Sequence, residues 1–233
     1  MPEQTTTNHI ERRQFLKNVL TSTVAGAAVA GIEVALPRPI LAQTPLTPDA
    51  ALRELMAGNE RFDNNQLTSI EHDLKILKEN TVEKQEPFAA VLACADSRVP
   101  IELVFDQTIG HIFVVRVAGN IVTPEITASL EYGVAVLGCK VLLVLGHSNC
   151  GAVKAAMKAD AVPGQISTLY QHIQSSVEIS GGDFVKAISN NAKFQANLLR
   201  TSSTVIRDAL KAAKLRVESG IYDLATGKVT LQG

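Results

Sequence analysis

An apolar run that ends in polar side chains constrains the fold of this chain more than any other feature. Residues 141–153 read VLLVLGHSNCGAV. A Val/Leu run bounded by Gly146 is typical of a strand in the middle of a parallel sheet, where both faces are covered. The polar residues that follow would lie at the carboxyl end of the strand, where open α/β sheets bind ligands. His147 and Cys150 could coordinate one metal ion, but two ligands do not complete a metal site.

A second apolar run ends in the same way and supplies a third ligand. FAAVLA (88–93) is followed by CADSRVP (94–100). Two parallel strands placed side by side would bring Cys94 next to His147 and Cys150. Two Cys and one His, with a fourth position left for water, are the protein ligands of one type of catalytic zinc site. Thiolate and imidazole suit zinc far better than magnesium or calcium, so the sequence predicts one Zn²⁺ per chain.

Each part of this pattern has a plain structural explanation when it is taken alone. His147 could be an ordinary histidine at a strand end, and Asp96 with Arg98 could be a simple ion pair or a turn. Cys139, within GVAVLGCKVLL, is most simply a small buried apolar residue. The combination of C-x-D-x-R and H-x-x-C after apolar strands is what makes the pattern specific.

The rest of the chain predicts an α/β fold with a central, mainly parallel sheet flanked by helices. Thr47-Pro48-Asp49 is typical of a helix start and opens a predicted N-terminal helical arm, with a second helix through Leu74 and Leu77 toward Asn80. The end of the chain, 215–232, predicts a C-terminal β-hairpin around Thr226-Gly227. The other predicted elements are strands over 88–93, 111–118 and 140–146, and helices over 124–137, after Cys150, over 166–178 and over 184–213.

The first forty residues are of another kind. The pair Arg12-Arg13, then Phe15-Leu16-Lys17 and a small-residue apolar stretch, closely resembles a twin-arginine export signal. The stretch is too weakly apolar to predict a membrane span. We therefore expect a signal peptide over 1–42, a catalytic domain over 43–233, and the twin-arginine translocase as a partner during export. The expected location is the periplasm, or the thylakoid lumen if the source has one; the alternative is a disordered tail or an uncleaved amphipathic anchor.

Charge and composition exclude one class of partner. The formal net charge is −1, aromatic residues make up 4% of the chain, and Trp is absent. Without a basic run or stacking aromatics, we expect no nucleic-acid partner.

At this point the chain resembles the β-class carbonic anhydrases. CADSRVP and GHSNCGAV match the two zinc-binding motifs of that family, and the resemblance continues through GNERF (58–62), FDQTIGHIFVVRVAGN (105–120), SLEYGVAVLG (129–138) and IYDLATGKVT. It implies zinc-dependent, reversible hydration of carbon dioxide to bicarbonate and a proton, by attack of zinc-bound hydroxide. It also implies a homodimer or a multiple of dimers.

The resemblance implies a role for eight residues. Its implied zinc ligands are Cys94, His147 and Cys150, its catalytic dyad is Asp96 and Arg98, and its pocket positions near the dimer interface are Gln85, Phe113 and Tyr132. For Gln85 the alternative is a solvated loop residue, and for the two aromatic residues it is core packing. Some relatives hold the matching Asp on zinc in an inactive state, using a bicarbonate site with a Trp. Because this chain has no Trp, we expect an open site in which Arg98 holds Asp96.

Three questions stay open at the level of the sequence. His111 and His172 are candidates for a proton shuttle by residue type only, and neither is assigned. The family framework also occurs in relatives that hydrolyse carbon disulfide or carbonyl sulfide. A structural zinc protein, in which Asp96 and Arg98 merely close the fourth position, is the alternative from a different functional class.

Overall fold

The predicted strands form one sheet in a computed structural model of the chain, which describes residues 44–71 and 74–233. The strands are β1 (Ala89–Ala93), β2 (Ile112–Arg116), β3 (Val141–His147), β4 (Arg216–Tyr222) and β5 (Val229–Leu231). Their order is β2-β1-β3-β4-β5, with β1 to β4 parallel and β5 antiparallel to β4. The prediction of a mainly parallel central sheet is therefore confirmed.

The predicted signal peptide, 1–42, lies outside the described residues, so the division of the chain at residue 42 stays a prediction. Within the ranges 44–71 and 74–233, no helix is both long enough and apolar enough to cross a membrane.

Eight α-helices flank the sheet in the described ranges. Several begin at the residues that the sequence predicts: the Thr47 side chain accepts from the Ala50 amide at 3.2 Å, and Thr123 caps the helix that starts at Pro124. The helices are α1 (Pro48–Asp63), α2 (Leu74–Thr81), α3 (Ile101–Val104), α4 (Pro124–Ala135), α5 (Gly151–Lys158), α6 (Tyr170–Glu178), α7 (Phe184–Ser202) and α8 (Thr204–Lys211).

Two predicted helices differ from the structure in detail. The single helix expected over 184–213 is divided at Ser203, whose backbone is extended. The Ser203 hydroxyl accepts from the Ile206 amide at 3.1 Å and donates to the Glu131 carboxylate at 2.6 Å, so it caps α8 and ties it to α4. The helix expected over 166–178 begins as a 3₁₀ turn, Ile166–Leu169.

Both faces of the sheet are covered, which explains the continuous apolar runs. Successive residues of a strand point to opposite faces. On one face Val91 and Leu143 pack against α1 and α3, and on the other Leu92 and Leu142 pack against α4, α7 and α8. All four side chains are fully buried.

The predicted C-terminal hairpin is confirmed, and it also joins the central sheet, which the sequence does not predict. Its first strand, β4, also pairs in parallel with β3, and this pairing aligns Tyr222 with His147. The carboxyl end of β4 therefore lies beside the polar end of β3.

The strand β2 lies at one edge of the sheet and pairs only with β1 among the described residues. Its residues Ile112 to Val115 are only half-buried, although every residue of β1 and β3 is buried. An apolar edge strand of this kind is an available pairing surface.

Candidate metal centre

Two adjacent strand ends bring the three predicted metal ligands together. Cys94 directly follows β1, His147 is the last residue of β3, and Cys150 is the N-cap residue of α5. Because β1 and β3 are parallel neighbours, with Ala93 aligned to Leu145, their carboxyl ends meet. The predicted adjacency of the three residues is confirmed.

The ligand atoms of Cys94, His147 and Cys150 lie within 4.8 Å of one another. The exposed fractions of these residues are 4%, 0% and 1%. The three residues therefore form a compact, buried donor set that one metal ion could bridge.

The His147 ring offers one nitrogen to a metal. Its Nδ1 lies 2.9 Å from the Ser148 carbonyl oxygen, which can only accept, so Nδ1 carries the hydrogen. The other nitrogen, Nε2, is buried without a hydrogen-bond partner. A histidine that is oriented through one nitrogen and leaves the other unpaired beside two thiols fits a metal ligand.

The two thiols of the site differ from the third cysteine of the chain. A hydrogen bond from Cys150 lowers the pKa of Cys94, and the resulting thiolate raises the pKa of Cys150. Cys139 lies in the core on the α4 face, and burial raises its pKa to about 12. The prediction that Cys139 is a buried apolar residue is therefore confirmed. Two converging thiols and an imidazole fit zinc by their chemistry.

Asp96 and Arg98 form the expected bidentate pair at the mouth of this site. Arg98 donates from Nε to Asp96 Oδ1 at 2.9 Å and from Nη2 to Oδ2 at 2.8 Å. The Arg98 backbone amide adds a bond to Oδ1 at 3.0 Å. Hydrogen bonds from the Arg98 side chain hold the pKa of Asp96 well below its usual range. Oδ2 of Asp96 lies 3.9 Å from Nε2 of His147.

A family model described as carbonic anhydrase matches residues 89–229, which is more than half of the chain. This range includes the three candidate metal ligands as well as Asp96 and Arg98. The chain belongs to the carbonic anhydrase family. Carbonic anhydrase 2 of Mycobacterium tuberculosis is 31% identical over 197 residues, which cover 79% of this chain and 93% of that protein.

Solved structures of β-carbonic anhydrases share the fold. A Coccomyxa β-carbonic anhydrase in complex with acetazolamide is 25% identical, with a TM-score of 0.61 over 77% of this chain and 85% of that chain. A chain from the crystal structures of two tetrameric β-carbonic anhydrases of Sordaria macrospora is 23% identical, with a TM-score of 0.63 over 78% of this chain and 96% of that chain. This β-class carbonic anhydrase therefore catalyses the family's reaction, hydration of carbon dioxide, and its Cys-His-Cys group is consistent with zinc.

Sequence reasoning missed one residue beside the site. Arg116, the last residue of β2, donates from Nε to the Cys94 carbonyl at 3.0 Å and from Nη2 to the Asp96 carbonyl at 2.5 Å. It thus fixes the backbone of the loop that carries Cys94 and Asp96. A charged residue at the end of the apolar run IFVVR was the available signal.

The three predicted pocket residues are not brought to the metal centre within one chain. Gln85 is exposed in the loop before β1. Phe113 aligns with Ala90 on the neighbouring strand. Ala90 precedes Cys94 by four residues, which corresponds to roughly 13 Å along the strand. The rings of Phe113 and Tyr132 contact each other, with centroids 6.2 Å apart. Their pocket role stays a prediction.

Proposed function

We propose that this carbonic anhydrase works with one zinc ion held by Cys94, His147 and Cys150, and that Asp96 and Arg98 are its catalytic pair. One observation carries the proposal. Oδ2 of Asp96 lies 3.9 Å from the unpaired Nε2 of His147, while Arg98 binds both carboxylate oxygens. The Asp96 carboxylate therefore lies next to the proposed metal ligands, and both of its oxygens accept hydrogen bonds from Arg98.

The chain's own residues have separate tasks in this proposal. Zinc, when bound, supplies a Lewis acid that makes water a nucleophile near neutral pH. Asp96, as an ionised carboxylate, would accept a hydrogen bond from the attacking water and so orient that water toward carbon dioxide. Arg98 keeps Asp96 ionised and fixed in position. Arg116 holds the two carbonyl groups of the same loop.

We further infer a homodimer, or a multiple of dimers, formed across the edge strand β2. The support is that β2 is half-buried and unpaired on one side among the described residues. Tyr132, which contacts Phe113 on this strand, is 46% exposed. A symmetric pairing of two copies would bury this edge. It would also supply the second chain that Gln85, Phe113 and Tyr132 need in order to line a pocket.

We also propose that the enzyme is exported by the twin-arginine route to the periplasm, or to the thylakoid lumen if the source has one. The support is the sequence around Arg12-Arg13 and the apolar stretch that follows. As the resemblance implies, this route carries folded proteins. Zinc can therefore be loaded in the reducing cytosol, before Cys94 and Cys150 meet an oxidising compartment.

A hydration assay on the purified, zinc-loaded protein tests the proposed function. Stopped-flow measurement with a pH indicator should show rapid hydration of carbon dioxide. Carbon disulfide and carbonyl sulfide, assayed in parallel, should be turned over far more slowly. Stoichiometric zinc without turnover of any of the three would favour a structural zinc protein and would contradict the proposal.

A further inference from the structure

Two buried amide side chains on α7 form a hydrogen-bonded chain that the proposed mechanism does not use. Asn191 and Gln195 lie one turn apart and are 1% and 0% exposed. Gln195 donates from Nε2 to Asn191 Oδ1 at 3.1 Å and to the His172 carbonyl at 2.8 Å. Its Oε1 accepts from the Val122 amide at 2.8 Å. Each polar atom of the Gln195 side chain therefore has a partner.

The chain of hydrogen bonds leads from α7 to the loop that follows β2. Asn191 donates from Nδ2 to the Gly119 carbonyl oxygen at 2.8 Å. The Gly119 amide in turn donates to the Cys94 sulfur at 3.3 Å. The two amides on α7 are thus connected to a proposed metal ligand through a single residue of the loop.

The conformation of Gly119 leaves little freedom at this connection. Its φ is +78°, in the left-handed region that favours glycine. A Cβ atom at this position would lie 2.8 Å from Ile173 Cδ1. The loop is therefore set by backbone geometry, by packing and by the Asn191 hydrogen bond together.

We propose that Asn191 and Gln195 are positioning residues for the metal centre, which fix the Gly119 amide that holds the Cys94 sulfur. The inference rests on the proposed zinc site. Hydrogen bonds to a metal ligand orient it, and losing them costs metal affinity even though the ligand remains. Asn191 and Gln195 are fully buried. If one of them is replaced by an apolar residue, its former hydrogen-bond partners therefore cannot bond to water instead.

The test compares zinc affinity in two matched variants of the full chain. Asn191→Leu keeps the branched shape and the number of heavy atoms of the side chain, and it removes both the donor to Gly119 and the acceptor for Gln195. Asn59→Leu removes an equally buried amide on α1, on the other face of the sheet, where Asn59 donates to the carbonyls of Val104 and Gly227. Zinc dissociation constants come from competition with a chromophoric chelator, and thermal melting reports the stability of each variant.

We expect Asn191→Leu to bind zinc about tenfold more weakly than the wild type. Asn59→Leu should lose comparable thermal stability and keep the wild-type dissociation constant. In Co²⁺-loaded protein, the thiolate-to-metal charge-transfer band should shift in Asn191→Leu and not in Asn59→Leu. Gln195→Met, measured alongside, should weaken zinc binding severalfold, and it decides the question if Asn191→Leu does not fold.

Two results would overturn the inference. One is wild-type zinc affinity in every folded variant of Asn191 and Gln195. The other is an equal loss of affinity in Asn59→Leu, which would trace the effect to general destabilisation. A wild-type chain that binds no zinc would instead overturn the proposed metal centre itself, so the two failures are distinguishable.

Discussion

Oδ2 of Asp96 lies 3.9 Å from Nε2 of His147, beyond hydrogen-bond distance, while both Asp96 oxygens are bound by Arg98. The carboxylate therefore adjoins the proposed metal ligands while both of its oxygens are bound by Arg98. Substitutions should accordingly separate the residues that hold zinc from those that serve the reaction.

Replacing Cys150 with Ser should remove nearly all zinc from the protein. The substitution leaves only Cys94 and His147 as ligands, and a hydroxyl is a poor substitute for a thiolate on zinc. Elemental analysis of the purified variant measures the effect. Cys139→Ser is the control, and it should keep one zinc per chain because Cys139 lies in the core. A fully loaded Cys150→Ser variant would refute the ligand assignment.

Replacing Asp96 with Asn should lower the hydration rate by about 10²-fold or more and leave zinc bound. Asn keeps the shape of the side chain, but it lacks the negative charge and one of the two acceptors that Arg98 binds. Stopped-flow kinetics and metal analysis on the same sample check both halves of the prediction. Loss of zinc in this variant would mean that Asp96 is itself a required ligand.

The hydration rate should increase from neutral to alkaline pH. In the proposed site, two thiolate ligands would neutralise the charge of zinc, which would then acidify water less than zinc held by three imidazoles does. Asp96 does not cause the increase. Because Arg98 lowers the pKa of Asp96 from an ordinary value of about 3.9, the carboxylate stays ionised throughout this range.

Arg98→Ala provides the matching control for the pH profile. Without Arg98, the pKa of Asp96 rises toward its ordinary value of about 3.9, which still leaves the carboxylate ionised at neutral pH. The midpoint of the profile should therefore stay in place while the maximal rate falls. A wild-type rate already at its plateau at about pH 6 would contradict the assignment of the increase to bound water.

Much of this architecture follows from local sequence signals. The apolar runs 88–93 and 140–146 predict buried strands, and polar residues at their ends predict a site, because parallel strands end at the same edge. The pairing of β4 with β3 joins residues far apart in the chain, and no periodicity encodes it. Asn191 and Gln195 also escape prediction, since a buried amide in an amphipathic helix resembles a solvated one until its partners are known.

Replacing Tyr132 with Arg should dissociate the proposed dimer and reduce activity. Tyr132 is 46% exposed and contacts Phe113 on the edge strand β2, so the substitution would place a charge in the interface. Sedimentation velocity gives the mass of the variant. Val185→Arg, at a side chain that is 75% exposed on α7, should leave the mass unchanged. A monomeric wild type, or a Tyr132→Arg variant of unchanged mass, would rule out this interface.

Replacing both Arg12 and Arg13 with Lys should keep a folded, zinc-loaded and active enzyme in the cytoplasm, with its signal still attached. The twin-arginine pair is the part of the signal that this substitution removes, and the metal site does not depend on it. Cell fractionation, with zinc and activity measured in each fraction, checks the prediction. A double variant that still reaches the periplasm, or a wild type found only in the cytosol, would refute the export proposal.

The hydrogen bonds around Ser148 have a consequence for when the enzyme can mature. The Ser148 amide donates to the Tyr222 carbonyl at 2.9 Å, and its hydroxyl accepts from the Leu224 amide at 2.9 Å. The turn between His147 and Cys150 is therefore braced by β4 and by Leu224, which follows Ser148 by 76 residues in the chain. Domains fold as units during synthesis, and metal binding depends on a folded site. We expect the metal site to form only after β4 has been synthesised and has paired with β3.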